Sequence, residues 1–417
     1  MRLSFYSFIG ISLLFLVLTS VICKGNVIDT LLIKKRGVLI GANHTGLGIG
    51  NVDTLRGLRL NWRDESIKQI EGINLSGWIP KSNPNSSIKG LGLGLMPEAS
   101  QLEGVFAGLL GVSGQSISGV ATGVVGVGSV NAIKGVSLGG LGIASNQSTI
   151  TGIQVAGFGI GSAKGLKGIS IAGLGLGSGG DIQGINLAGI GMGTSSGKIR
   201  GLNVAGIGIG SDKDIQGVTL AGIGMGSGGT ISGVSLSGIG SGSDKMKGLH
   251  LAGVGIGAST IKGLAIAGIG IGGVDLSGVY VSGIGTGAKH ITGLSLAGIA
   301  QGGEALKGLF ISPILYAQTF EGFSIAPILS ISRQNKGIQV ATISVIRCTE
   351  HYKMAVIEIA METTQESCEA INEGVQLGLY NYSRKMGDKA WQIGLINYVK
   401  ENRKGLRVLP FFNRKFE

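Results

Sequence analysis

The side chains best placed to do chemistry are basic residues that stand immediately before a recurring glycine. These basic residues are spaced by about 15 to 17 residues or by multiples of that distance. A stacked repeat would therefore bring them into one exposed column, in which some positions are uncharged. Such a column favours contact with an anionic surface, for example phospholipid head groups, lipopolysaccharide or an acidic glycan. The alternative is that the charges only keep molecules apart and soluble. The candidate contact residues are Lys89, Lys134, Lys167, Arg200, Lys247, Lys262, Lys307 and Lys336, with Arg56 and Lys404 at the same position nearer the ends.

No other residue type has the spacing of a catalytic or metal site. Ser211 and Ser227 are expected in turns with no histidine or aspartate at a repeated offset, which argues against a hydrolase triad. Glycine segments such as GIGMGS recur in almost every repeat and open no helix, so they do not indicate a phosphate loop. The histidines lack metal-ligand spacing, and His250 is expected to face outward. The sequence therefore predicts a protein that is not an enzyme, with no catalytic residue, cofactor or metal; the histidines are His44, His250, His290 and His351.

Composition narrows the fold class. Glycine supplies 80 of the 417 residues, but there is no strict triplet and there are only 6 prolines, which excludes collagen. A hydrophobic content of 43% excludes a disordered glycine–serine linker, because such linkers have little to bury. Glycine, isoleucine and valine are poor helix formers, so the chain is predicted to be all-β. The formal charge is +12, yet an aromatic content of 5% offers no stacking platform for nucleic acid.

The first residues resemble an export signal. Arg2 precedes a long apolar stretch, and a signal-peptidase site fits directly before Lys24. We predict a signal peptide over residues 1–23. The alternatives are an uncleaved membrane anchor formed by residues 5–22 and a lipoprotein modified at Cys23. All three interpretations predict an exported protein of the cell surface or outer membrane.

Each repeat is marked by an anchor glycine in a unit of the form IxGhxhAGhGhG, where h is apolar. The anchors recur from Gly57 to Gly337, mostly at spacings of about 15 to 17 residues. Beyond Gly337 the pattern loosens, and it returns at Gly374, Ala390 and Gly405. Self-similarity at a fixed short period is specific to repeat architectures.

Within the unit IQGVTLAGIGMGSGG, residues 215–229, the apolar alternation shifts by one residue. One straight strand cannot keep both halves of the pattern on the same face, because a one-residue shift turns every side chain over. The Ala-Gly pair in the middle is therefore predicted to be a corner, and prolines at the equivalent position of other units fit that interpretation. The expected inward residues are Val218, Leu220, Ile223 and Met225, and the expected outward residues are Thr219 and Gly224.

Two short strands, a corner and a polar turn predict one coil of a β-solenoid with about twenty coils. The alternative is a closed β-barrel built from the same repeats. The segment between residues 346 and 373 diverges from the repeat and holds Cys348 and Cys368, whose pairing the spacing does not specify. The predicted organisation is a signal peptide or anchor over 1–23, a lead-in over 24–56, the glycine-rich body over 57–345, a divergent insert over 346–373, and C-terminal repeats with a cap over 374–417.

The C-terminal units GVQLGLYNYS and WQIGLINYVKEN, followed by LPFFN, resemble a family of bacterial surface repeat proteins of the leptospiral type. The units of that family are similar to GLQIGLxNxxxN. The clear resemblance covers only the last residues of the chain, whereas the body replaces GLxN with GIGIG. The resemblance implies an exported protein associated with the cell surface or outer membrane, and it implies no catalytic residue.

Together these observations predict a non-enzymatic surface protein, a structural or adhesive scaffold with a basic exposed edge. Its expected partner is an anionic component of the cell envelope or a surface protein, with membrane association as a further expectation. The alternative function is an outer-membrane barrel or channel-like protein. Nucleic acid is not expected as a partner.

Overall fold

The computed structural model describes residues 37–81, 83–347 and 369–416, and these residues are almost entirely β-strand. The chain divides into two compact units, residues 1–229 and residues 230–417. Both units are stacks of parallel β-coils, with about 22 turns in total, so the predicted β-solenoid is confirmed. The alternative of a closed barrel is wrong, because the strands of successive coils between β2 and β31 pair in parallel with their equivalents one coil later.

In the first unit a coil consists of one or two strands joined by glycine-containing corners. The strands are β1 Gly37–Ala42, β2 Thr45–Gly50, β3 Thr54–Asn61, β4 Gln69–Ser76, β5 Ser87–Gly94, β6 Glu98–Gly108, β7 Gly111–Gly123, β8 Gly126–Gly139, β9 Gly142–Ser145, β10 Thr149–Ala156, β11 Gly159–Ser162, β12 Gly165–Ala172, β13 Gly175–Ser178, β14 Asp181–Ala188, β15 Gly191–Thr194, β16 Ile199–Ala205, β17 Gly208–Ser211 and β18 Ile215–Ala221. Strand β19, Gly224–Ser237, begins in the first unit and ends in the second.

In the second unit most coils form one long strand that bends at the corners. The strands are β20 Gly240–Ala252, β21 Gly255–Ala267, β22 Gly270–Ser282, β23 Gly285–Ala297, β24 Ala300–Ile311, β25 Ile314–Asn335, β26 Ile338–Ile346, β27 Ile371–Asn372, β28 Val375–Leu377, β29 Tyr380–Ser383, β30 Lys385–Met386, β31 Trp391–Val399 and β32 Val408–Asn413. A short 3₁₀ helix, Lys404–Leu406, precedes the last strand. Both cysteines predicted to remain after signal cleavage lie outside the described residues.

The coils stack in register, anchor glycine upon anchor glycine. In strands β10, β12 and β14, Gly152 pairs with Gly168, and Gly168 with Gly184. The repeat also extends upstream of its predicted start, because Gly46 of β2 pairs with Gly57 of β3. Gly405, by contrast, does not anchor a parallel coil. It lies in the 3₁₀ helix, and β32 runs antiparallel to β31.

The anchor position requires glycine because of its backbone conformation and its close contact with the preceding coil. Gly152 has a φ of +119°, a region that side chains other than hydrogen rarely adopt. A Cβ atom at this position would overlap the carbonyl oxygen of Gly135, the anchor of the preceding coil. The periodic glycine is thus explained by the spacing of the stacked backbones.

The interior of a coil is lined by residues of a single parity. In the unit that begins at residue 215, Ile215, Thr219, Ala221 and Met225 are all buried. These positions are all odd, so the inward alternation does not shift. Two odd positions turn outward, the anchor Gly217 and Ile223. Ile223 is 47% exposed and lies between two corner glycines.

The expected orientation of this unit is therefore mostly wrong. Met225 points inward as predicted, but Val218 is 41% exposed and Thr219 is only 1% exposed, the reverse of the prediction. The physical reason is the size of the coil: about 16 residues enclose a narrow interior. Small Thr and Ala side chains fit there opposite the larger Ile215 and Met225. The apolar side chains between them face outward.

Candidate functional site

A repeated surface feature is a set of apolar side chains one, three and six positions after most anchor glycines, which we call the apolar face. In each of these positions the side chains of successive coils stack in register. In the first unit the face includes Val136, Ile153, Ile169, Ile185, Leu202 and Val218 in its first column, Leu138, Val155, Ile171, Leu187, Val204 and Leu220 in its second, and Leu141, Phe158, Leu174, Ile190, Ile207 and Ile223 in its third. In the second unit it includes Leu249, Leu264, Val279 and Leu294, then Leu251, Ile266, Val281 and Leu296, and then Val254, Ile269, Ile284 and Ile299.

These side chains remain substantially accessible although they stack on one another. Ile153 is 42% exposed and Phe158 is 48% exposed. Monomeric soluble proteins rarely expose contiguous apolar patches beyond a few hundred Å². A face repeated over so many coils is therefore a candidate interaction surface. The sequence did not reveal it, because apolar residues were expected to point inward.

The apolar face carries aromatic side chains near the start of the first unit. Trp62 and Trp78 stack with ring centroids 6.0 Å apart, and both rings are exposed. Beside them Leu60, Leu75 and Leu93 line a shallow groove of about 310 Å³. In the second unit Trp391 occupies the first column and packs against Phe412 of β32. Each unit therefore has exposed indole on the same face as its aliphatic columns.

The position two residues after the anchor points inward and is mostly polar; we call it the inner polar column. Asn186 and Asn203 are fully buried there, and the Asn186 Nδ2 donates a hydrogen bond to Asn203 Oδ1 at 2.9 Å. A buried amide needs such a partner because leaving water without one is costly. The buried polar members are Arg59, Asn74, Ser137, Gln154, Ser170, Asn186, Asn203 and Thr219 in the first unit, and Ser235, His250, Tyr280, Ser295, Ser324, Gln339, Gln376 and Gln392 in the second.

A buried ion pair fills the start of the inner polar column. The Arg59 guanidinium donates to the Asp64 carboxylate and to Asn74 Oδ1 at 2.9 Å. Asn61 Nδ2 also donates to Asp64, at 2.8 Å. Because these groups satisfy one another, removal of any one of them would leave a buried polar group without its partner.

His250 lies inside this column and does not face outward, so that expectation is wrong. Its side chain is fully buried, Nδ1 lies 2.7 Å from the Ser235 hydroxyl, and Nε2 has no hydrogen-bond partner among the described residues. Burial lowers the pKa of His250, because removal from water disfavours the charged imidazolium. His250 is thus a core residue of one coil and not a candidate base.

We expect His250 to make stability fall in mild acid. The pKa of His250 is lowered in the folded chain but is about 6.5 in the unfolded chain. Below that pH the unfolded chain therefore binds a proton that the folded chain does not bind. The free energy of unfolding, measured in urea between about pH 7.5 and about pH 5, should therefore decrease as the pH falls. Asparagine occurs elsewhere in the same column, so His250→Asn should be accommodated. It should make the dependence of the unfolding free energy on pH shallower. An unchanged pH dependence in that variant would contradict the assignment.

All eight candidate basic residues face outward directly before an anchor, but the column is less uniformly positive than the sequence indicated. Glutamates in the same column were missed, and they form ion pairs with bases one coil away. The N–O distances are 2.9 Å for Arg56–Glu71, 3.0 Å for Lys89–Glu103, 3.2 Å for Lys307–Glu321 and 3.9 Å for Lys336–Glu373. Arg200 pairs with Asp181 at 3.4 Å. Exposed pairs of this kind stabilise little, but they cancel local charge.

Four lysines of the column keep their positive charge uncompensated. Lys134 and Lys167 in the first unit, and Lys247 and Lys262 in the second, are exposed and form no salt bridge within the described ranges. Lys247 and Lys262 pair directly in register, and Thr151 separates Lys134 from Lys167. The candidate anionic contact of the sequence therefore reduces to these four residues. Lys404 does not belong to the column, because it lies in the 3₁₀ helix.

The amide residues of the C-terminal units form ladders inside the coils. Gln392 Nε2 donates to Gln376 Oε1, and Asn381 Nδ2 donates to Asn397 Oδ1, both at 2.8 Å. All four side chains are fully buried. The Q and N of the GLQIGLxN-like pattern thus mark two inward columns, which explains why they recur at a fixed offset.

Within the described ranges, no three His, Cys, Asp or Glu side chains group as metal ligands. Ser211 is buried, and its hydroxyl donates to the Gly197 carbonyl at 2.9 Å, which is a structural contact. No helix in the part of the chain that the structure describes is long and apolar enough to cross a membrane.

Comparison with family models, with curated proteins and with solved structures found no match for this chain.

Proposed function

We propose that the protein is a non-enzymatic, exported scaffold of the bacterial cell surface that binds through its repeated outer faces. The observation that carries this proposal is the register of the outward side chains. Each coil repeats the apolar positions of its neighbours one coil spacing away, about 4.8 Å along the stack. A surface of this kind offers a partner many equivalent weak contacts, which is how adhesive and structural repeat proteins gain avidity.

Two features of the sequence support the location. The apolar stretch after Arg2 has the pattern of an export signal, and the C-terminal units resemble those of bacterial surface repeat proteins. The partner that fits the uncompensated lysines is an anionic component of the cell envelope.

The location is tested by expressing the full chain in a Gram-negative host beside a variant that lacks residues 2–23. We expect the full chain in the envelope fraction and open to protease added to intact cells, and the shortened chain in the cytoplasm. The same distribution for both chains, or full protection of the full chain from protease, would contradict a surface location.

A further inference from the structure

The strand that follows each anchor glycine has the reverse of the polarity that water favours. In the part of β10 that follows Gly152, the outward residues are Ile153 and Val155, and the inward residues are Gln154 and Ala156. A sheet with one solvated face places polar residues toward water and apolar residues toward the core. Sheets that face lipid show the opposite alternation, with apolar residues outward and polar residues inward. The apolar face follows the lipid-facing pattern coil after coil.

The backbone beneath this face is already satisfied by the neighbouring coils. Even at the corner, the Phe158 N–H donates to the Leu141 carbonyl at 2.8 Å and the Gly157 N–H to the Gly140 carbonyl at 3.0 Å. An apolar medium tolerates a β-structure only when its backbone groups are paired internally. Contact with such a medium would therefore remove only apolar side chains from water.

A border of positive charge runs beside the face. Lys134 and Lys167 lie one residue before their anchor glycines, the first apolar column lies one residue after those glycines, and both positions face outward. Lys247 and Lys262 have the same relation to the face in the second unit. Apolar side chains bordered by exposed lysines are the combination that binds the interface of an anionic bilayer.

All three tryptophans of the chain are exposed beside the apolar columns of their own units. Trp62 and Trp78 are 70% and 47% exposed in the first unit, and Trp391 is 41% exposed in the second. Indole rings concentrate at the boundary between lipid head groups and acyl chains, because one end is apolar and the other can donate a hydrogen bond. Their positions provide a third independent match to a membrane interface.

From these observations we infer that the apolar face binds the surface of an anionic phospholipid bilayer. The aliphatic and indole side chains enter the boundary between head groups and acyl chains, while the four lysines meet the phosphates. A second copy of this chain fits less well, because its column over residues 134–216 repeats Lys134, Lys167 and Arg200 and contains no carboxylate. The inference concerns binding to lipid by the folded coils and does not depend on how the chain is exported.

The test uses the purified full chain and vesicles of phosphatidylcholine mixed with phosphatidylglycerol, some with bromine on the acyl chains. Because residues 5–22 could anchor the chain by themselves, the readout is quenching of tryptophan and not sedimentation. A Trp391→Phe background leaves Trp62 and Trp78 as reporters of the first unit. We expect a blue shift of their emission and quenching by the brominated lipid.

Variants then separate the apolar from the electrostatic contribution. Phe158→Ser/Leu174→Ser/Ile207→Ser should raise the lipid concentration for half-maximal quenching at least about tenfold, with an unchanged thermal unfolding midpoint as the check on folding. Lys134→Gln/Lys167→Gln should raise it about fivefold for each lysine removed. The matched control, Lys164→Gln/Lys213→Gln, removes the same charge from exposed turns and should have a clearly smaller effect.

Three results would overturn the inference. The first is no quenching by brominated lipid. The second is equal quenching on vesicles of phosphatidylcholine alone, which would remove the role of the lysines. The third is a dimer in solution that the triple serine variant makes monomeric without any change in lipid binding, because the face would then be a protein interface. None of these results bears on the cell fractionation, so failure of the export proposal stays distinguishable.

Discussion

Thr219→Asp should destabilise the first unit strongly, whereas Val218→Asp next to it should change stability little. The Thr219 side chain is 1% exposed in the inner polar column, and a carboxylate there would be an uncompensated buried charge worth on the order of 3–5 kcal/mol. Val218 is 41% exposed on the apolar face, so aspartate at that position remains in water and should cost about 1 kcal/mol. Thermal and urea unfolding followed by circular dichroism would measure both.

The pH provides an internal control for this pair. Burial should raise the pKa of the carboxyl introduced by Thr219→Asp above its value in the unfolded chain, so acid should restore part of the lost stability as the carboxyl takes up a proton. The Val218→Asp variant should show no such recovery. A larger loss of stability at residue 218 than at residue 219 would contradict the orientation of the strand.

Gly152→Ala should destabilise the same unit by about 2–5 kcal/mol, although it adds a single methyl group. Gly152 has a φ of +119°, and a Cβ atom would overlap the Gly135 carbonyl oxygen in the coil beneath. The backbones of Gly152 and Gly135 are each held by hydrogen bonds to the coils on either side. Neither backbone can therefore move without disturbing the adjacent coils. The unfolding midpoint in urea should fall clearly.

Gly161→Ala is the matched control for this substitution. Gly161 lies in β11 of the same coil, and a Cβ atom there would meet nothing within 4 Å. Alanine should be neutral or slightly stabilising at such a site, because it reduces the conformational freedom of the unfolded chain. Equal losses at residues 152 and 161 would show that the glycines are not distinguished by stacking.

The coil length and the stacking could be predicted from the sequence because they depend on spacing alone. A glycine every 15 to 17 residues specifies where the backbones meet, and the register Gly152–Gly168–Gly184 follows directly. Side-chain direction depends on a second assumption, that apolar residues point inward. That assumption fails in the strand after each anchor, where Thr219 and Gln154 point inward and Val218 and Ile153 point outward.

The charged column illustrates a different limit. The sequence places a base before many of the anchors, but the ion pairs depend on which residue stands one coil away. Glu103 follows Lys89 in the next coil and neutralises it, whereas Thr151 follows Lys134 and does not. The same register that reveals the candidate site therefore reduces it to fewer residues. The missed glutamates could have been found by aligning every residue that precedes an anchor.

The stacking also bears on how the gene can change. Phe106 fills space above Gly92, where even a Cβ atom would touch its ring, so these two coils fit only each other. The coils from residue 150 to residue 227 have nearly interchangeable interiors. The inward residues of each coil are, in order, isoleucine or leucine, a small polar residue or amide, alanine, an apolar residue and a hydroxyl residue. Loss or duplication of the DNA for one such coil would leave both new neighbours in contact with a suitable surface. Length variation among strains should therefore be confined to this segment and occur in steps of whole coils.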